Sequence, residues 1–207
     1  SITVIEKDER CLKALNEIKD LASTQIKIIS GNALKFDEIS LGKKDMINIS
    51  NLPYNISSKL LVKWIENKAP FSRYILMFQK EVADRLVSNK NEKTYSRISV
   101  LTQWFYEVKI LFNVPRTAFI PKPKVNSSVI MLKPRPKPLY PANIVYLQKV
   151  LRICFGYRRK MLKTSLSFLH SKPEEILDKA GVSKNLRPED LSIRDFCEIS
   201  NVLENIS

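Results

Sequence analysis

The residues best suited to chemistry are Asn51-Leu52-Pro53-Tyr54, directly after the apolar run of residues 46–49. In an open α/β sheet, ligands are held beyond the carboxyl ends of the strands. A polar side chain, a proline and an aromatic ring at such a point form an acceptor platform for a planar amine. The exocyclic N6 of adenine shows what is needed. Its lone pair is delocalised into the ring, so it attacks poorly until acceptors on its two N–H groups favour a pyramidal nitrogen. The Asn51 side-chain oxygen and a backbone carbonyl such as that of Leu52 can accept those bonds. Pro53 stiffens the turn, and Tyr54 can stack on the base. Positioning and electrostatics then carry the reaction, without a metal or a strong base. The same four residues also fit a plain strand-end turn with a half-buried tyrosine.

A second signal is charge. The net charge is +14, and it is not spread evenly. Residues 108–173 contain no Asp or Glu and fourteen Lys or Arg, so this segment holds the whole excess. Such a surface neutralises phosphates, which points to nucleic acid. Its prolines make it unlike one amphipathic membrane helix. No apolar run approaches the roughly 20 residues that span a bilayer, and residues 1–6 do not read as a signal peptide. Cys11, Cys154 and Cys197 form no CxxC pair, and His170 is the single histidine, so neither a disulfide nor a metal site is expected. The cysteines read as thiols of a reducing compartment, and a cytoplasmic location is expected.

The elements that must position these residues alternate. Strands are expected at residues 2–5 (ending in Glu6), 26–29, 46–49, 74–78, 107–113 and 127–132. Helices are expected at residues 9–21 behind an Asp8 cap, from Ser57 or Ser58 onward, near 82–86 and near 98–104. This is an α/β sheet with helices on both faces, closed at one edge by an antiparallel hairpin of the last two strands. Residues 133–138, Lys-Pro-Arg-Pro-Lys-Pro, read as a stiff extended linker. Beyond it the pattern is helical only: one helix starting at Pro141, then helices near 173–180 and 192–203. On a helical wheel Lys149, Arg152, Lys160 and Lys163 share a face. Arg158 would fall among apolar positions unless the helix breaks near Gly156.

Several stretches together resemble the ribosomal RNA adenine dimethyltransferases of the KsgA type. They are residues 51–57 (NLPYNIS), 77–86 (MFQKEVADRL), 119–129 (FIPKPKVNSSV), 155–163 (FGYRRKMLK) and 187–192 (RPEDLS), in the family's order along nearly the whole chain. The resemblance implies a Rossmann-like methyltransferase sheet at residues 1–138 and a small all-helical RNA-binding domain at 139–207. It implies S-adenosylmethionine as cofactor and methylation of N6, twice each, on two adjacent adenosines of small-subunit ribosomal RNA. The enzyme would act as a monomer within a pre-ribosomal particle. Unpaired or flipped bases are the accessible substrates.

The resemblance also assigns residues. Asn51, Leu52, Pro53, Tyr54 and Phe119 become catalytic, with Phe119 closing on the base opposite Tyr54. Glu6, Asn32, Ala33 and Asn51 become cofactor-binding, Glu6 by accepting from the ribose hydroxyls. Lys122, Lys124, Lys149, Arg152, Arg158, Arg159, Lys160 and Lys163 become RNA-binding. The family usually has Asp where Asn32 stands; Asn32 can still donate to a ring nitrogen. No GxGxxG-like run occurs, and the chain has four glycines. In the family that turn follows a first strand upstream of the position of Glu6 and central to the sheet. The expectation is therefore a sheet split at its centre, and weak cofactor binding and turnover by these 207 residues alone. Two other readings share the motifs: a large-subunit ribosomal RNA dimethyltransferase, and a non-catalytic ribosome-assembly or transcription factor on the same fold.

Overall fold

A computed structural model describes residues 1–22, 24–43 and 45–206. The first strand, β1 (Ile2–Glu6), leads into α1 (Glu9–Leu21). Asp8 caps α1 by accepting from the Arg10 amide, as a short acceptor before an amphipathic run should. The strand β2 (Ile26–Ser30) pairs in parallel with β1, from Ile2 opposite Ile26 to Glu6 opposite Ser30. The next strand, β3 (Met46–Asn51), belongs to a different sheet. The helix α2 (Ser57–Glu66) crosses from it to β4 (Phe71–Gln79), which pairs with β3 in parallel.

After β4 come α3 (Lys80–Val87), α4 (Arg97–Phe105), β5 (Tyr106–Val114) and β6 (Ser127–Pro134). The four-stranded sheet runs β3-β4-β6-β5, with β6 antiparallel to both neighbours and β5 at the edge. The strands thus form two separate sheets, the split expected from the sequence. One face of β3 is left bare, with Ile47 and Ile49 exposed. β4 is the heart of the fold. Tyr74, Leu76 and Phe78 alternate onto one fully buried face and pack with Leu60, Leu61, Trp64 and Ile65 of α2. Burying such side chains contributes roughly 1.5–3 kcal/mol each.

The remaining elements are helices: α5 (Ile144–Gly156), α6 (Leu162–Leu166), α7 (Pro173–Lys179) and α8 (Ile193–Ile206). The core continues into them through Tyr95, Phe155 and Phe196, whose rings meet edge-on or tilted.

Three expectations need correction. The cap of α2 is Ile56, not Ser57 or Ser58; the Ser57 hydroxyl instead donates to the Tyr54 carbonyl. α5 starts three residues past Pro141, because Asn143 supplies the cap by accepting from the Val145 amide. The proline-rich stretch and the two residues after it bond back to the end of α4. The Arg135 and Leu139 amides donate to Phe105 and Trp104, and the Trp104 indole donates to Tyr140. The basic helix face is also divided. α5 ends at Gly156, which leaves Lys160 in a turn and puts Lys163 on α6, a helix too short to show a period in sequence.

Candidate active site

The four-residue motif ends β3 and turns into α2. The Ile56 and Ser57 amides both donate to the Pro53 carbonyl, which makes a tight turn. Leu52 is buried and anchors that turn in the core, while Asn51 remains exposed at the strand end. Across from it lies the loop between β5 and β6. Asn126 holds this loop by accepting from the Arg116 amide through its side chain and from the Lys80 amide through its carbonyl. The two segments flank an open cavity of about 330 Å³ lined by Asn51, Leu52, Pro53, Tyr54, Phe119, Pro121 and Pro123. All five residues expected to act on the substrate therefore line one cavity, with two prolines of the opposing loop.

Tyr54 is held in place. Its hydroxyl is 2.7 Å from that of Ser127, at the start of β6. Ser127 is fully buried, so the ring is tied to the sheet and not only to its own turn.

Of the residues expected around a cofactor, Glu6 ends β1, Asn32 and Ala33 follow β2, and Asn51 ends β3 in the other sheet. Glu6 Oε1 accepts from the Lys7 and Asp8 amides at 2.6 and 2.7 Å. Asn32 Oδ1 accepts from the Leu34 amide at 3.0 Å, which leaves its Nδ2 as the donor. This segment is fastened to α2 by a cluster that sequence reasoning missed. Lys63 Nζ donates to the Ala33 carbonyl, to the Phe36 carbonyl and to Glu38 Oε1. The Trp64 indole donates to the same Glu38 oxygen at 2.7 Å. Lys63 and Glu38 are both largely buried. They lie 25 residues apart, and no local pattern marks them. The pairing of Ser127 with Tyr54 was missed for the same reason.

The basic residues separate into groups. Lys122 and Lys124 are exposed on the loop that frames the cavity. Lys149 and Arg152 are exposed on α5, and Lys149 Nζ lies 4.6 Å from the Tyr146 ring centre. Arg159 and Lys160 are exposed, and Lys163 is half-buried. Arg158 differs: its Nε donates to Glu189 at 2.8 Å, which commits it to a contact within the protein.

The family model described as "Ribosomal RNA adenine dimethylase" matches residues 1–205. A relative from Rhizobium johnstonii, "Ribosomal RNA small subunit methyltransferase A", is 44% identical over 206 residues, covering 98% of this chain and 74% of its own. Among solved structures, a dimethyladenosine transferase from Plasmodium falciparum superposes with a TM-score of 0.79 at 26% identity, covering 95% of this chain and 79% of its own. The 23S rRNA methyltransferase ErmE shares the fold at a TM-score of 0.64 and 22% identity, covering 98% of this chain and 81% of its own.

Proposed function

The chain belongs to the ribosomal RNA adenine dimethylase family, and from that membership and the cavity's geometry we infer an S-adenosylmethionine-dependent enzyme. It dimethylates N6 of two adjacent adenosines in small-subunit ribosomal RNA and serves ribosome biogenesis. The observation that carries this reading is the cavity itself. It sets Asn51 at a strand end, beside Tyr54 pinned to Ser127, and facing Phe119. Asn51 Oδ1 and the Leu52 carbonyl accept from the two N6–H bonds, an interaction that strengthens as N6 becomes pyramidal and positive. Tyr54 and Phe119 hold the base, and the prolines limit loop motion.

S-adenosylmethionine supplies an electrophilic sulfonium methyl. The residues present fit its adenosine half. Glu6 Oε2 remains for the ribose hydroxyls once Oε1 has taken two amides, and Asn32 Nδ2 remains for a ring nitrogen. Ala33 lies beside Asn32, and its carbonyl is held by Lys63. No glycine-rich turn occurs among the 207 residues to take the methionine half.

In this reading, residues 1–138 form the catalytic unit and 139–207 the RNA-binding helical unit. The enzyme works in the cytoplasm as a monomer on a pre-ribosomal particle. Among the described residues no helix is long and apolar enough to cross a membrane. A small-subunit substrate is favoured over a large-subunit one by the 44% identity to the Rhizobium johnstonii relative. The test uses the whole protein as its gene encodes it, labelled cofactor, and separated undermethylated small and large subunits. Dimethyladenosine should appear in small-subunit RNA. Its appearance only in large-subunit RNA, or in neither, would overturn the reading.

A further inference from the structure

Tyr157 and Phe168 make a parallel stack on the outside of the helical unit. Their centroids are 4.2 Å apart and their planes differ by 8°. The other ring pairs found among the described residues are tilted or edge-on, by 32° or more. Tyr157 is 39% exposed, Phe168 59% and the intervening Met161 43%. A stack of this kind does not serve the core, and it leaves ring surface in water.

The backbone under the stack is fixed. The Tyr157 amide caps α5 by donating to Ile153 and Cys154. The Leu162 amide donates to the Leu186 carbonyl at 2.9 Å, and the Phe168 amide to Ser165 at 3.3 Å. The main chain that carries both rings is therefore held, which lowers the ordering cost of binding. The charge nearby is one-sided. Arg159 and Lys160 follow Tyr157 in sequence, are exposed, and have no acidic partner among the described residues. Three acids of the helical unit are ion-paired: Glu189 with Arg158, Glu174 with Lys184, and Glu175 with Lys172.

We propose that the Tyr157–Phe168 stack is a docking platform for an unpaired nucleobase of the RNA, whose flanking phosphates are met by Arg159 and Lys160. Ring stacking takes any base and requires it to be unpaired, whereas phosphate contacts alone do not require a single strand. The platform thus makes the helical unit a reader of exposed loops or bulges, distant in sequence from the cavity that receives the target adenosine. The inference rests on the RNA-substrate reading, and its test reads binding rather than methyl transfer.

The unaltered protein is first irradiated with a short single-stranded oligoribonucleotide carrying 5-iodouridine. Cross-linked peptides should contain Tyr157 or Phe168; cross-links confined to other peptides would overturn the proposal. Affinity is then measured for the same strand free and annealed to its complement. Phe168→Ala should weaken single-strand binding by about 5- to 150-fold, while duplex affinity and the salt slope stay unchanged. Phe168→Tyr should bind as the parent does. Equal affinities of Phe168→Ala and parent for the single strand, or equal losses on both probes, would overturn the platform alone. No binding of either probe to the parent would overturn the RNA reading with it.

Discussion

The Tyr54 hydroxyl meets the Ser127 hydroxyl at 2.7 Å across 73 positions of sequence. The bond fixes the angle at which the ring faces the cavity. It also gives the hydroxyl a role that stacking alone would not require. Tyr54→Phe keeps the ring but removes one neutral hydrogen bond and strands a buried hydroxyl, at a cost of about 0.5–1.5 kcal/mol. Methylation should fall roughly 2- to 10-fold, and Ser127→Ala should match it. The double variant should be no worse than either single one, since both remove the same bond. Tyr54→Ala should lose a further 1–3 kcal/mol or so of stacking in RNA affinity. Independent, additive losses in Tyr54→Phe and Ser127→Ala would show that the bond does not orient the ring.

Lys63 and Glu38 tie the proposed cofactor loop to α2. Lys63→Met should leave the Glu38 carboxylate buried and uncompensated, destabilising the fold by about 3–5 kcal/mol in urea titration. Lys63→Met combined with Glu38→Gln should recover part of that loss, because the amide still accepts from Trp64 without a buried charge. A double variant less stable than Lys63→Met would contradict this account.

Arg158 and its two neighbours should behave differently. Arg158→Ala breaks a half-exposed ion pair, so stability should fall by about 1 kcal/mol or less, and the salt dependence of RNA binding should not change. Replacing Arg159 and Lys160 by Ala should lower the slope of log affinity against log salt by just under one unit for each phosphate those two side chains neutralise. The reverse pattern would place the phosphate-binding role on Arg158.

The three cysteines should separate by reactivity. Burial pushes the Cys154 and Cys197 thiols up to about 12, whereas Cys11 is exposed. Below that value the two buried groups stay protonated, and only the thiolate attacks. At mildly alkaline pH a thiol reagent should modify one cysteine quickly in the native protein and three after denaturation. Rapid reaction of a second thiol would mean that α5 or α8 opens more readily than its packing implies.

Most of what is legible in the sequence is local. Asp8 before an amphipathic run marks the start of α1, and a hairpin of two adjacent strands marks the edge of the sheet. The motif at residues 51–54 can be read because strand end, proline and aromatic are contiguous. The α2 cap is misplaced from sequence because serine at the right spacing is only a preference, and the Ser57 hydroxyl finds the Tyr54 carbonyl instead. Proline composition conveys the stiffness of residues 133–138 but not the acceptors at Phe105 and Trp104. Lys63 and Glu38 carry no local signal, and nothing in the stretch that holds Ser127 marks Tyr54 as its partner, because these partners are supplied by the fold.

The central claim is that Asn51 helps to activate the target amine, and single-turnover methylation by Asn51→Ala tests it most directly. The whole protein is mixed with undermethylated small subunits, with cofactor binding recorded in parallel. Asn51 is exposed, and its side chain makes no hydrogen bond among the described residues, so folding should be intact, and the parallel binding record separates any lost cofactor contact from the effect on the amine. Removing an acceptor that acts mainly in the transition state should slow the chemical step by about 10²–10³, or roughly 3–4 kcal/mol. An Asn51→Ala enzyme that methylates at the parent's rate would contradict the account.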